Sequence, residues 1–155
     1  MRVELVMGVI EKMAPASSHH SRQNFSVAER LISAFRAQKL DMEIGTDLAV
    51  EIDKDTVRGI DIAVSATGFS EAGPTEASAI FLAVEISDTT LSRDLGAKAD
   101  DYARGGIPHY WVVDLNGKSV QVMSKPDVNG YVKRSVVRFG EDVTVPGTDQ
   151  TIYID

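Results

Sequence analysis

The sequence predicts an α/β fold from three observations. Short apolar-polar alternations typical of strands recur along the chain, two stretches instead carry apolar residues at three- and four-residue steps, and Asn-Gly pairs separate neighbouring strand patterns. The chain has 155 residues, with 16 Lys+Arg against 23 Asp+Glu and a net charge of −7, so the expectation is one acidic, soluble domain over 1–155. A chain of this length buries roughly 68–70% of its unfolded surface, so a core needs neither disulfides nor a structural metal. There is no cysteine, which excludes a disulfide framework, a thiolate metal site and a cysteine nucleophile, and a cytoplasmic location is expected. The longest apolar run, Ala79 to Val84, is far short of the roughly 20 residues that span a bilayer, so no membrane association is expected.

Residues 3–13 read as a hairpin around Met7-Gly8, with Val3 and Leu5 alternating before the turn and Val9 and Glu11 after it. Pro15 and several serines then precede a helical pattern, and Asn24, Val27, Leu31, Ala34 and Phe35 place a helix from about Ser17 to Lys39. Two half-buried strands follow over 46–53 and 57–66. The segment 68–78 contains Gly, Pro and Ser and reads as a loop. Residues 79–87 are apolar on both alternating faces until Glu85, the pattern of a strand covered on both sides, and this strand is expected at the middle of the sheet. A second helix is expected from about Thr90 to Arg104, stopped by Gly105, Gly106 and Pro108. Residues 109–115 form another strand, Asn116-Gly117 turns it into KSVQVM, and Asn129-Gly130 repeats the device before YVKRSVVRF. The acidic tail ends in a short strand, TIYI.

Three polar residues stand where the pattern asks for apolar ones. Asp61 interrupts GIDIAV, and strict alternation puts it on the face opposite Ile60 and Ile62. Glu85 ends the most apolar strand. Buried carboxylates are costly unless paired or metal-bound, so the two together form a candidate site for a divalent cation, and oxygen ligands favour Mg²⁺ or Mn²⁺ over zinc. Lys98 fills the missing position in the stripe of Leu91, Leu95 and Tyr102 and should face the sheet. Its bland alternative is an exposed i,i+4 pair with Asp94, worth roughly 0.2–0.5 kcal/mol.

Two further candidates are weaker on spacing alone. His20 continues the inward stripe of the first helix, and such a histidine is often a cap or core residue. Glu4 stands on the face that Val3 and Leu5 do not use, where an exposed strand glutamate is the simple explanation. Asp114 beside Asn-Gly reads as a turn initiator. The basic residues cluster, with five in 116–140 (Lys118, Lys125, Lys133, Arg134, Arg138) against one acid. They could touch phosphates or merely blunt an exposed sheet edge. No nucleophile elbow, phosphate-binding Gly-rich loop or H-E-x-x-H is present.

RVELVMGVI, MAPASSHH, GIDIAV and FLAVEISDTTLSRDLGAKADDYARGGIPHYWVVDL together resemble the Uma-type restriction endonuclease family, a branch of the PD-(D/E)XK nuclease superfamily. The most specific part runs from Glu85 to Asp114, where E-x-S, D-x-x-x-K-x-x-x-Y, G-[IV]-P and YW-x-VD occur in family order. The resemblance implies a restriction-endonuclease-like mixed sheet flanked by helices, with N- and C-terminal β-hairpins and a metal-dependent phosphodiesterase site. It matches Asp61 and Glu85 to the metal-binding carboxylates and Lys98 to a lysine moved onto the helix. Ser87 stands where the usual E-x-K has lysine. Glu4 and His20 match the family's N-terminal glutamate and first-helix histidine. Ile60 replaces the proline that normally precedes the first aspartate, and the helix usually found before the first hairpin is absent.

The resemblance implies a Mg²⁺-dependent endonuclease acting on nucleic acid, DNA above all, as a homodimer. A non-catalytic nucleic-acid- or partner-binding module that kept the fold is the rival, favoured by the −7 charge. A phosphodiesterase for small nucleotides is a third reading.

Overall fold

The computed structural model describes residues 2–155. Strands β1 (Val3–Val6) and β2 (Val9–Lys12) form the opening hairpin, turned by Met7 and Gly8 at φ 49° and 80°. Two consecutive left-handed residues make the tight turn that matches strand twist, and glycine takes the second position without steric cost. Helix α1 (Ser18–Ala37) begins where Ser17 Oγ accepts the His20 N–H at 3.1 Å. Its buried stripe is the expected one: Asn24, Val27, Leu31, Ala34 and Phe35.

Strands β3 (Glu43–Asp53) and β4 (Thr56–Ser65) pair antiparallel. The segment expected to be loop throughout contains β5 (Thr75–Glu76), which pairs parallel with β3 and leads into a 3-10 turn over Ala77–Ala79. Two residues of ladder are too short to leave a periodic signal. Strand β6 (Leu82–Ser87) is buried at every position and stands fourth in the path β2-β1-β4-β6-β7-β8-β9, the central place expected for it. Strand β7 (His109–Asp114) runs parallel to β6, and β8 (Ser119–Asp127) and β9 (Gly130–Arg138) complete the path as antiparallel strands. Strands β10 (Val143–Thr144) and β11 (Thr151–Ile152) make a separate C-terminal hairpin. The sheet is therefore mixed. Asp114 does initiate the turn after β7, accepting the Gly117 N–H at 2.8 Å.

The second helix is two helices. α2 (Leu91–Leu95) and α3 (Ala97–Arg104) are separated by Gly96 at φ −104°, ψ −101°. A Cβ at Gly96 would meet the Ser92 carbonyl oxygen at 2.8 Å, so only glycine lets the chain turn this sharply there. Apolar spacing continues across the break, which is why periodicity reads it as one element.

Two cores lie on the two faces of the sheet. One joins α1 through Val27, Leu31 and Phe35 to Ile62, Val64, Val84 and Trp111, and the C-terminal hairpin closes it with Val143 and Ile152. The other joins α3 through Ala99, Tyr102 and Ala103 to Val50, Ile60, Ala83 and Tyr110. Ile60 and Ile62 thus face opposite sides, which corrects the strict alternation expected through Asp61. The cause lies in the ladder: β3 and β4 pair at Thr46↔Ile62 and Leu48↔Ile60 but not at Asp47 and Asp61, and Asp47 sits at φ 53°. Both strands change face across this unpaired step.

Candidate active site

On the edge of β4 away from β3, β1 pairs only at Val57 and β6 only at Ile62–Val64. Between them β4 has no strand partner on that edge, and buried backbone groups must find hydrogen bonds elsewhere. Side chains supply them at Gly59. Glu4 Oε1 accepts its N–H at 2.9 Å, and its carbonyl accepts from Lys98 Nζ at 2.9 Å. The fork between β1 and β6 therefore gathers charged residues from β1, β4, β6 and α3.

Lys98 faces the sheet, as the stripe predicts. Its Nζ stands 3.0 Å from Glu85 Oε1 and 3.2 Å from Glu4 Oε1, and its side chain is 1% exposed. The exposed Asp94–Lys98 pair is excluded, because Asp94 is also only 1% exposed. Tyr102 Oη donates to Glu85 Oε1 at 2.6 Å. Glu4 is buried, not an exposed strand glutamate, and accepts from Arg58 Nη1 at 3.0 Å. Asp61 Oδ2 accepts the Ile86 N–H at 2.8 Å, which sets its carboxylate against the peptide that follows Glu85. The same oxygen lies 3.2 Å from His20 Nε2, while the neighbouring His19 makes no such pair. Ser87 is buried, with its Oγ 3.5 Å from Thr90 Oγ1.

A cavity of about 390 Å³ opens over this cluster. Asp61, Glu85, Lys98 and His20 line it together with Asp94, and Arg2, Lys12 and Arg93 add positive charge. Glu4 lies behind the cavity wall and touches it through Lys98.

Burial pushes the Glu85 carboxyl well above the usual range, with Asp61 and Asp94 adding to the rise and the Lys98 ammonium opposing it. Burial alone would weaken the Lys98 ammonium, but Glu85, Glu4 and Asp94 outweigh that and hold it protonated. For Asp61, burial is overcome by the His20 and Ile86 hydrogen bonds, and the carboxyl lies below its ordinary value. His20 is raised, chiefly by its bond to Asp61. Glu4 is lowered because Lys98, the Gly59 N–H and Arg58 outweigh desolvation.

A family model described as "Putative restriction endonuclease", Uma2, matches residues 1–153. The chain belongs to the Uma2 family. A crystal structure described as a "putative nuclease belonging to DUF820" from Anabaena variabilis ATCC 29413 has the same fold, with a TM-score of 0.71 and 19% identity over 93% of this chain and 81% of that one. No curated protein matches the chain significantly.

Within this Uma2 chain, spacing alone does not reveal Asp94 as a member of the cluster, whereas it puts Tyr102 in the inward stripe of Lys98. By strict alternation Arg58 shares the face of Ile60 and Ile62, where an arginine among apolar positions is itself a signal, and Asp94 looks like an exposed helix partner. The signal for Asp94 is the motif, in which it and Tyr102 flank Lys98 as D-x-x-x-K-x-x-x-Y. The basic segment 116–140 forms no single patch at the cavity. Pairing of Ser119 with Arg138 and of Ser124 with Lys133 spreads it along both ends of the β8–β9 edge. No helix among the described residues is long and apolar enough to cross a membrane.

The Uma2 donor set fits a hard divalent cation. It is carboxylate oxygen without sulfur, and Asp94 Oδ1 is a buried oxygen with no hydrogen-bond partner among the described residues. No three His, Cys, Asp or Glu side chains converge on one point among those residues. Asp61 and Glu85 would hold the ion with water and substrate oxygens completing its shell, the usual condition of Mg²⁺ in enzymes.

Proposed function

We propose that the protein is a Mg²⁺-dependent endonuclease that hydrolyses phosphodiester bonds in nucleic acid, with Asp61 and Glu85 as metal ligands and Lys98, His20 and Glu4 as accompanying site residues. The observation that carries this reading is the Lys98–Glu85 pair lining the same cavity as Asp61. A bound Mg²⁺ or Mn²⁺ would supply Lewis acidity toward the phosphoryl oxygens and a more acidic bound water.

The chain's own groups do the rest. Asp61 and Glu85 offer the cation its oxygens, and the Ile86 N–H holds Asp61 in place. Lys98 places a fixed ammonium at the cavity floor, where charge develops on a phosphoryl oxygen during attack. His20 Nε2 can give or take a proton at Asp61 Oδ2, and its Nδ1 has no hydrogen-bond partner among the described residues. Glu4 keeps Lys98 charged from behind. Arg2, Lys12 and Arg93 face the phosphate backbone at the rim.

DNA is the substrate we assign first, and a homodimer the working form. Support for the dimer comes from β2, an edge strand with Val9 at 62% and Ile10 at 70% exposure. The cysteine-free composition accords with a cytoplasmic location. The net charge of −7 favours one rival, a binding module without turnover. Incubating the purified protein with duplex DNA, single-stranded DNA and RNA in Mg²⁺, Mn²⁺ or chelator separates the two. Metal-dependent cleavage lost in D61N supports the nuclease. Binding without cleavage in either metal leaves the rival.

A further inference from the structure

A line of alternating charges runs from beneath the cavity to the partly exposed Arg104 and Asp53. Glu85 Oε1 faces Lys98 Nζ at 3.0 Å, and Lys98 faces Glu4 Oε1 at 3.2 Å. Glu4 Oε2 takes Arg58 Nη1 at 3.0 Å, and Arg58 Nε and Nη2 both reach Asp101 Oδ2 at 2.7 Å. Asp101 Oδ1 takes Arg104 Nη1 at 2.7 Å, and Arg104 Nη2 ends the line at Asp53 Oδ2, 2.9 Å away and half in solvent. Arg58 is 2% exposed, too deep to meet substrate.

We infer that Arg58 is a positioning residue for Lys98, acting through Glu4, so that docking of the β1–β2 hairpin and assembly of the site are one event. The ladder holds β1 to β4 by a single residue pair, Leu5 with Val57. The turn is held by the Gly8 N–H to the Asp55 carbonyl at 2.8 Å and the Met7 N–H to Thr56 Oγ1 at 3.3 Å, and Glu4 fastens the strand itself through the Gly59 N–H and Arg58. The hairpin that Glu4 fastens also brings Arg2 and Lys12 to the cavity. Two carboxylates, Glu85 and Glu4, compete for one ammonium. Arg58 neutralises the rear one, and Asp101 grips Arg58 through two nitrogens, a geometry that a planar guanidinium provides and an ammonium does not. Lys98 is thereby left directed at Glu85 and the cavity.

The kinetic part of the test rests on the nuclease reading, and the spectroscopic part does not. The variants are R58K, R58M, E4Q and R58M/E4Q, with K98M to assign the signal. In the wild type, the Lys98 ammonium, held by three acceptors, should give a protected ¹H–¹⁵N resonance. We expect that resonance to broaden or vanish in R58K and R58M. Turnover in Mg²⁺ should fall roughly 10–100-fold, as for loss of a group that orients a site residue, with KM little changed. R58M/E4Q should lose no more than E4Q alone, because Arg58 acts through Glu4. Removing one member of a buried pair is strongly destabilising, so if R58M does not fold, R58K, which keeps the charge, carries the test. An unaltered Lys98 resonance in R58K, or losses in R58M and E4Q that multiply, overturns the inference. If the wild type cleaves nothing, the nuclease reading fails and the resonance still decides the role of Arg58.

Discussion

Lys98 Nζ lies 3.0 Å from Glu85 Oε1, although one residue is on a short helix and the other on the central strand, and each is almost wholly buried. A buried ammonium and a buried carboxyl tolerate each other only as a pair, since either alone pays several kcal/mol in desolvation. The pair thus ties the position of α3 to that of β6.

Replacing Lys98 tests the pair first. K98A should cost on the order of a hundredfold or more in rate, comparable to losing one preorganised electrostatic donor. It should also destabilise the fold by about 3–5 kcal/mol, because Glu4 and Glu85 lose their shared cation. K98R should rescue rate poorly. Steady-state kinetics and thermal melts measure both; a melt shift of a few tenths of a kcal/mol would contradict the buried pair.

Glu85 and Asp61 should respond differently to amide substitution. E85Q takes the Glu85 charge from Lys98 but leaves it Glu4 and the Gly59 carbonyl, and it removes the repulsion between Glu85 and Asp61, so E85Q should cost less stability in chelator than K98A while abolishing metal-dependent cleavage. Asp61 is held as a carboxylate by His20 and Ile86, so D61N should lose cleavage and about 1.5–3 kcal/mol of stability. Chemical denaturation in chelator distinguishes the two.

Mg²⁺ should raise the wild-type Tm, because a ligand that binds only the folded state stabilises it, by about 2.7 kcal/mol at a hundred times Kd. D61N and E85Q should show no such rise. Scanning calorimetry across a Mg²⁺ titration provides the check, and a wild type indifferent to metal removes the basis of the metal site.

Stability should fall on both sides of mid-pH for identifiable reasons. Glu4 sits below its ordinary 4.5, so its contribution is present above that value and is lost as pH falls through the lower folded-state pKa. E4Q should flatten this acid limb. His20 sits above its ordinary 6.5, so its contribution is complete below 6.5 and is lost as pH rises through the higher folded-state pKa. H20Q should remove that alkaline loss in melts run from pH 6 upward.

Gly96 sets the angle between α2 and α3. G96A places a methyl 2.8 Å from the Ser92 carbonyl and should cost about 1–3 kcal/mol, as overpacking does. It should lower turnover more than its stability loss explains, since Lys98 is two residues away.

The sequence by itself determined the order of the strands and helices apart from β5 and the break between α2 and α3, the turns at Met7-Gly8 and Asn116-Gly117, and the central place of 82–87, and it pointed Lys98 toward the sheet. Each is local: alternation, three- and four-residue spacing and turn chemistry act within about ten residues, and the apolar pattern of β6 has no other low-energy solution than burial on both faces. The family motifs added Glu4 and His20, which spacing left as surface or cap residues.

Tertiary structure alone decided what those residues meet. The change of face at Asp47 and Asp61 depends on two strands skipping a ladder pair together, and neither strand's own pattern records it. The break at Gly96 is hidden because apolar spacing resumes on the other side. Arg58 faces Glu4 and Asp101 only because β1 and β6 diverge along one edge of β4, opening a gap whose backbone groups charged side chains then satisfy. Periodicity specifies which way a side chain points within its element, whereas the partners of a buried charge lie in other elements, 13 residues away for Lys98 and Glu85 and 54 for Arg58 and Glu4, and are chosen by packing.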